Sequence, residues 1–264
     1  MKKTVHIVNS AYHRVQYLHL KLFLKKVLEM KSVVLLGGTF SNLITAIELS
    51  QTHQVTVIEL NAEIGLPSIS PGHIRDQKLL THYLLPQQIK FLQIHPFEEG
   101  FTLRSEWGLK HLAVHAAEKG VEIFTRTRIT QCSETDDGFL LELQGAGSNS
   151  SDQIECHFLV NDIQWTYQAP GAKRHTLPDS QNTHVPDFGV FVPMHGGTAL
   201  ESDCTDLPDE ITVLPRFEGL TEVWQTSEVW KPHKGWIEII ECSLPIIIEK
   251  RCIDAQIIEG RRIS

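Results

Sequence analysis

The chain has 264 residues, 41% hydrophobic and 21% charged, which is typical of a globular protein with one large or two small domains. The formal net charge is -8 with no long basic run, which argues against nucleic acid as the main partner. No apolar run reaches the length of a membrane span, so we expect no membrane partner. The five cysteines are scattered and without metal-ligand spacing, which favours a reduced, cytoplasmic setting and no metal site.

Residues 1–30 form an N-terminal extension that allows two interpretations. Residues 12–29 mix lysines into an apolar stretch and lack the small-residue cleavage site of a secretory signal. One interpretation is a short strand at residues 5–8 followed by an amphipathic helix packed on the domain. The other is that Met30 is the true start, because dinucleotide-binding chains often begin just before their first strand.

The next segment predicts a strand, a glycine-rich turn, a helix and a second strand. Residues 32–36 are an apolar run, followed by two glycines and then by a helical pattern over residues 41–51. A second apolar run over residues 54–60 contains an acid, Glu59, near its end. This order is the layout of a dinucleotide-binding βαβ unit.

Beyond that unit the sequence predicts a loop, two helices and then mostly strands. Residues 61–76 hold glycines and prolines and predict a loop, while residues 79–92 and 104–119 predict helices, the second ended by Gly120. The strand-like runs are residues 121–124, 129–132, 139–143, 154–160, 190–192, 211–214, 223–225 and 236–242. Polar loops are expected at residues 145–152 and 166–186.

The turn keeps one of the three glycines of the dinucleotide fingerprint. Gly37 holds the first position, Thr39 the second and Asn42 the third. In the complete motif these glycines permit the turn, the approach of the pyrophosphate and the packing of helix on strand. Glu59 lies 22 residues after Gly37, close to the usual interval of about 20 for the acid that binds the ribose.

Several segments resemble one family, the FAD-dependent oxidoreductases with two dinucleotide-binding domains. Gly37-Gly-Thr-Phe-Ser-Asn42 is similar to their Gly-Gly-Thr-Pro-Ser/Ala-Gly turn. The segment from Ile58 to Gly65 resembles their Glu-x-x-x-x-x-Gly-Gly continuation, with Leu66 in place of the second glycine. Residues 116–129 resemble the helix and strand that lead to the adenine, and the resemblance extends over residues 31–163.

The resemblance implies FAD as cofactor. It places the turn at the pyrophosphate, Glu59 on the adenosine ribose and the backbone of Ile129 near the adenine. The cofactor-binding residues it implies are Gly37, Gly38, Thr39, Ser41, Asn42, Glu59 and Ile129.

Three departures make the match degenerate and short at its C-terminal end. Asn42 replaces a glycine, residues 161–164 replace the family's Ala-Thr-Gly turn, and no Gly-Asp motif follows residue 164. The tail has diverged, a partner chain supplies it, or the chain is truncated.

Other candidate sites have plainer explanations. His111 and His115 share a helix face but lack a third ligand, so we expect ordinary helix histidines. Residues 194–198, Met-His-Gly-Gly-Thr, predict a surface turn. A cluster of aromatic residues in the last third is expected to form a sheet core or to cover a flavin and its substrate: Phe217, Trp224, Trp230 and Trp236. No residue is identified as catalytic.

The sequence thus predicts an α/β protein with a Rossmann-like FAD/NAD(P)-binding domain over residues 31–165 and a smaller β-rich substrate or cap region over residues 166–264. The leading hypothesis is an FAD-dependent oxidoreductase that transfers hydride between a small-molecule substrate and the flavin. The alternative is a cofactor-free subunit that partners another flavoprotein. A third hypothesis is an NAD-binding dehydrogenase, since Glu59 would suit the ribose of NAD equally well.

Overall fold

The computed structural model describes residues 30–145, 153–165, 173, 175, 177, 183–227 and 229–264. Its helices are α1 (Phe40–Leu49), α2 (Lys78–Thr81), α3 (Pro86–Phe91), α4 (Ser105–Glu118), α5 (Ile248–Arg251) and α6 (Ile253–Ile263). Its strands are β1 (Ser32–Leu36), β2 (Gln54–Ile58), β3 (His73–Ile74), β4 (His95–Phe97), β5 (Gly100–Thr102), β6 (Glu122–Phe124), β7 (Thr127–Thr135), β8 (Gly138–Gly145), β9 (Gln153–Cys156), β10 (Phe158–Asn161), β11 (Thr183–His184), β12 (Phe191–Leu200), β13 (Thr212–Pro215), β14 (Leu220–Gln225) and β15 (Glu238–Pro245). The strand and helix predicted for residues 5–29 lie outside the described residues.

A five-stranded parallel sheet organises the first part of the chain. Its strand order is β11-β10-β1-β2-β6, and each neighbouring pair is parallel. Parallel strands need crossover connections, and α1 supplies the one between β1 and β2. The predicted βαβ unit is therefore confirmed, and the central position of β1 places its C-terminal turn in the middle of the sheet edge.

Both faces of this sheet are covered, which explains the continuous apolar sequence of β1. Val33 and Leu35 face a core formed with the helical layer that includes α1, α4 and α6. Val34 and Leu36 face a second core, formed with the antiparallel β7-β8-β9 sheet. Alternate residues of one strand thus belong to different cores, because successive side chains point to opposite faces.

The last third forms a four-stranded antiparallel sheet, β13-β14-β12-β15. One face packs in a third core that contains Trp165, Phe188 and Trp224. The fold class predicted from the sequence, α/β with a Rossmann-like sheet and a smaller β-rich region, is confirmed. The division at residue 165 stays a prediction.

Helix α6 was not predicted, and it packs against α1. Gly260 lies against α1 so closely that a Cβ at this position would be 2.4 Å from the backbone oxygen of Ser41 and 2.9 Å from the Cβ of Ile44. The hydroxyl of Thr45 donates to the Gly260 carbonyl at 3.0 Å. Contact at this distance requires a residue without a side chain.

Three predicted elements were wrong in detail. The helix predicted over residues 79–92 is two short helices, α2 and α3, because Pro86 begins a new helix and disfavours helical backbone at the residue before it. The strand predicted over residues 154–160 is two strands in different sheets, β9 and β10. The surface turn predicted at residues 194–198 lies inside β12, where it pairs with β14 and β15.

Within the described residues, no helix combines the length and the apolar character that crossing a membrane requires.

We expect the Gly260→Val variant to lose about 1–3 kcal/mol of unfolding free energy, because the added side chain forces α6 away from α1. Urea denaturation would measure this loss. The matched control is Ile258→Ala on the same helix, where the side chain is 59% exposed and truncation should change little. Equal losses in the two variants would contradict this account of the contact.

Candidate functional site

The turn between β1 and α1 is tight, and Gly38 has little space around it. Gly37 adopts a φ of 98°, a left-handed conformation that glycine reaches without strain. A Cβ on Gly38 would lie 2.7 Å from the Cγ1 atom of Ile64, so the backbone is closely approached there. Thr39 caps α1, since its side-chain oxygen accepts the N–H of Asn42 at 3.1 Å. The first N–H groups of α1 point out of the helix end, as in anion sites.

Asn42 occupies the third glycine position, and the fold accommodates its side chain in the interior. Its side chain is fully buried, and its Nδ2 donates to the carbonyls of Leu36 at 2.8 Å and Gly37 at 2.9 Å. The amide therefore links the first turn of the helix to the end of β1. Among the residues that the structure describes, its Oδ1 has no hydrogen-bond partner.

Glu59 lies directly after β2, as predicted, and its carboxylate meets the turn. Its Oε2 accepts the N–H of Gly38 at 2.8 Å, and its Oε1 accepts the backbone and side-chain N–H groups of Asn61 at 2.8 and 2.9 Å. The side chain is 4% exposed. Burial raises the pKa of Glu59, and these hydrogen bonds oppose that rise.

Asp162 is the site residue that the sequence analysis missed. Its Oδ2 accepts the hydroxyl of Thr39 at 2.5 Å and that of Ser41 at 2.6 Å, and the side chain is 2% exposed. Burial raises its pKa to about 7 against the effect of the two hydroxyls, and the charge of Glu259 adds to the rise. The sequence offered one sign of this role, since Asp162 comes directly after the strand β10. The strand β10 lies next to β1 in the parallel sheet, and the C-terminal ends of parallel strands meet at one edge.

Ile129 lies near Glu59 but has a different polar partner. Thr127, two residues before it on β7, donates its N–H to the Glu59 carbonyl at 3.0 Å. The N–H of Ile129 itself donates to Nδ1 of His175 at 2.8 Å. The structure thus brings together the predicted turn residues and Glu59, and the adenine role of Ile129 stays a prediction.

The cleft above the turn is narrow. It has a cavity volume of about 30 Å³ and is lined by residues of the loop 61–70 and by Leu109, Trp165 and Gln256. Cavities that hold drug-sized ligands are roughly 300–1,000 Å³. The cleft is therefore smaller than the adenosine diphosphate half of a dinucleotide.

The other candidate residues lie elsewhere. His111 and His115 lie on α4, and in the described part of the chain no three metal-ligating side chains are grouped. Trp224 is buried in the third core, while Trp230 and Trp236 contact each other edge to face at 5.4 Å. The side chain of Phe217 is 54% exposed.

Solved structures with similar folds identify the architecture. A geranylgeranyl bacteriochlorophyll reductase-like protein from Thermoplasma acidophilum matches with a TM-score of 0.55 and 14% identity, over 83% of this chain and 67% of that one. The halogenase PltM matches with a TM-score of 0.52 and 12% identity, over 88% and 67%. CmlS, a flavin-dependent halogenase, matches with a TM-score of 0.50 and 15% identity, over 74% and 41%.

These matches establish the fold, a mixed α/β architecture with a Rossmann-like parallel sheet. The chain spans about two thirds of the first two proteins and less than half of CmlS. No protein-family model matches the sequence, and no curated protein matches it.

The Asn42→Ala variant tests whether the amide holds the turn. We expect it to lose about 2 kcal/mol of unfolding free energy, because the Gly37 carbonyl loses the Asn42 donor and the Leu36 carbonyl keeps only the N–H of Asp162. Chemical denaturation measures this, with Thr52→Ala as the control, since that hydroxyl is exposed and bonds only nearby residues, the Leu49 carbonyl at 3.3 Å and Nδ1 of His53 at 2.8 Å. A loss no larger than the control's would show that Asn42 is only a tolerated substitution.

Asp162→Asn tests the buried acid through the pH dependence of stability. Because the folded pKa is raised to about 7 from 3.8, the folded chain holds the proton more tightly than the unfolded chain does. The stabilising effect of Asp162 is therefore complete below about pH 4 and is lost as the pH rises to about 7. We expect the unfolding free energy of the variant, relative to wild type, to rise by roughly 1.4 kcal/mol per pH unit between about pH 5 and 7. A difference that does not change with pH would contradict this assignment.

Proposed function

We propose that this protein is an FAD-binding flavoprotein that transfers hydride between a small-molecule substrate and the flavin. The observation that carries the proposal is the carboxylate of Glu59, held 2.8 Å from the N–H of Gly38 at the N-terminal end of α1. A carboxylate at this place accepts ribose hydroxyls, while the helix end next to it suits a pyrophosphate. The similar flavin-dependent halogenase supports the choice of a flavin.

In this proposal the chain binds and orients the cofactor through one carboxylate and several backbone groups. Glu59 accepts the ribose hydroxyls with the lone pairs that its own chain leaves available. The first N–H groups of α1 meet the pyrophosphate, and the backbone of Ile129 meets the adenine. The bound flavin supplies the redox chemistry, and the protein supplies position and electrostatics.

The cellular location and the binding partners are part of the same proposal. The scattered cysteines support a cytoplasmic location, and the substrate is a small molecule. A companion subunit could supply the Gly-Asp motif that this sequence lacks.

A specific observation favours a second function, a cofactor-free subunit with the same fold. The cleft holds about 30 Å³, and both oxygens of Glu59 already accept hydrogen bonds from the chain itself. In a cofactor-free protein these contacts would be permanent and the loop over residues 61–70 would stay closed.

The visible spectrum and the melting temperature of the purified protein separate the two functions. A flavoprotein shows bound flavin or is stabilised by added FAD, by about 2.7 kcal/mol at a hundredfold excess over Kd. We expect Glu59→Gln to weaken FAD binding about tenfold, because a neutral amide loses the charge-assisted bonds to the ribose. Glu122→Gln, at an exposed position on β6, is the matched control.

Absence of flavin absorbance together with no stabilisation by FAD would reject the flavoprotein and favour the cofactor-free subunit. Stabilisation by NAD but not by FAD would point to the dehydrogenase instead.

A further inference from the structure

A second cavity, of about 90 Å³, lies between the four-stranded sheet and the tryptophans Trp230 and Trp236. The sheet contributes three side chains to its lining, His195 from β12, Gln225 from β14 and Ile239 from β15. Ile239 is 61% exposed, so the cavity reaches the protein surface. A ligand therefore has a route into the cavity from solvent.

This cavity and the cleft above the glycine turn lie on opposite sides of the sheet. Trp224 and Ile240 belong to the third core, so Gln225 and Ile239, their neighbours in the chain, point to the other face. Trp165 lines the cleft and belongs to the third core as well. The sheet and this core therefore separate the cavity from the cleft.

Hydrogen bonds hold the loop over residues 226–236 above the sheet. Gln225 is 2% exposed, its Nε2 donates to the carbonyl of Trp230 at 2.8 Å, and its Oε1 accepts the backbone N–H of Trp230 at 3.1 Å. Further along the loop, the backbone N–H of Lys234 donates to Oδ2 of Asp203 at 2.7 Å. Trp230 and Trp236 contact each other edge to face. The walls of the cavity are thus formed before a ligand arrives, which lowers the entropic cost of binding.

The lining residues select the kind of ligand. Two perpendicular tryptophan rings offer a face and an edge, which suits a third aromatic ring or a quaternary ammonium ion. Lys231 also lines the cavity, and its positive charge opposes a cation. The Gln225 amide has two N–H groups and two acceptor lone pairs, and the backbone of Trp230 takes one of each. The amide therefore keeps a donor and an acceptor with which a hydroxyl group can bond.

We propose that this cavity binds a neutral aromatic compound with one ring and a hydroxyl group, a small phenol. The ring lies against Trp230 and Trp236, and the hydroxyl bonds to the amide of Gln225. A volume of about 90 Å³ equals that of about three water molecules, so part of the ring stays at the open mouth beside Ile239. The site is separate from the proposed cofactor site, and the inference does not rest on the proposed function.

An NMR titration of the full chain with phenol tests the proposal. The chain has five tryptophans, and each gives one indole N–H signal. We expect the signals of Trp230 and Trp236 to shift with a Kd of about 1 mM, an affinity that so few ligand atoms can supply. The signals of Trp165 and Trp224 should stay in place, because both side chains lie in the third core.

Two matched variants locate the binding site. Ile239→Asp places at the mouth a charge that loses hydration when the ring enters, so we expect phenol to bind at least about tenfold more weakly. Ile237→Asp makes the same change two residues earlier, at a side chain that is 57% exposed and does not line the cavity, and should keep the wild-type Kd. Since both positions are exposed, both variants should fold.

Three results would overturn the inference. Phenol could shift the signal of Trp165 instead of those of Trp230 and Trp236, or shift no tryptophan signal. The two aspartate variants could lose affinity equally. Tetramethylammonium could shift the signals of Trp230 and Trp236 while phenol does not, which would make the site a cation cage. None of these results depends on FAD, so the proposed function is accepted or rejected separately.

Discussion

The turn between β1 and α1 depends on acids that come from neighbouring strands. Glu59 follows β2 and accepts the N–H of Gly38, while Asp162 follows β10 and accepts the hydroxyls of Thr39 and Ser41. Buried donors without partners cost free energy, so these carboxylates satisfy groups that the turn cannot satisfy itself. The site is therefore built by the strand order of the sheet, which places β1 between β2 and β10.

The same acids place two buried carboxyl groups beside the turn. Glu59 and Asp162 are both buried, and burial raises the pKa of each. The hydrogen bonds that they accept from the turn lower both pKa values, so burial and the turn act on these carboxyl groups in opposite directions.

Local patterns in the sequence were sufficient to predict the elements that are determined by residues close together in the chain. The βαβ unit follows from apolar runs and glycines that are contiguous in the chain, and Glu59 follows from its interval to Gly37. The role of Asn42 could not be predicted from the sequence, because only the structure shows its amide donating to the carbonyls of Leu36 and Gly37. Asp162 required the strand order, since its partners are more than 120 residues away.

Other predictions failed where contacts between distant parts of the chain determine the local structure. Residues 194–198 contain two glycines, which predict a turn, yet strands on both sides pair with them and keep them extended. Residues 154–160 form one apolar stretch, but they belong to two sheets, one on each side of His157. Helix α6 was missed although its own sequence carries helix signals, with Asp254 in the first turn and Arg261 and Arg262 in the last.

The contact between α6 and α1 also affects the order in which the site is made during synthesis. Thr45 and Gly260, which meet at this contact, are 215 residues apart in the chain. The ribosome therefore releases α1 and the glycine turn long before the helix that packs on them. Until α6 emerges, the apolar surface of α1 around Ile44 lacks its cover and is open to other chains or to chaperones. A nascent chain would thus carry the glycine turn with one side of its helix uncovered for most of its synthesis.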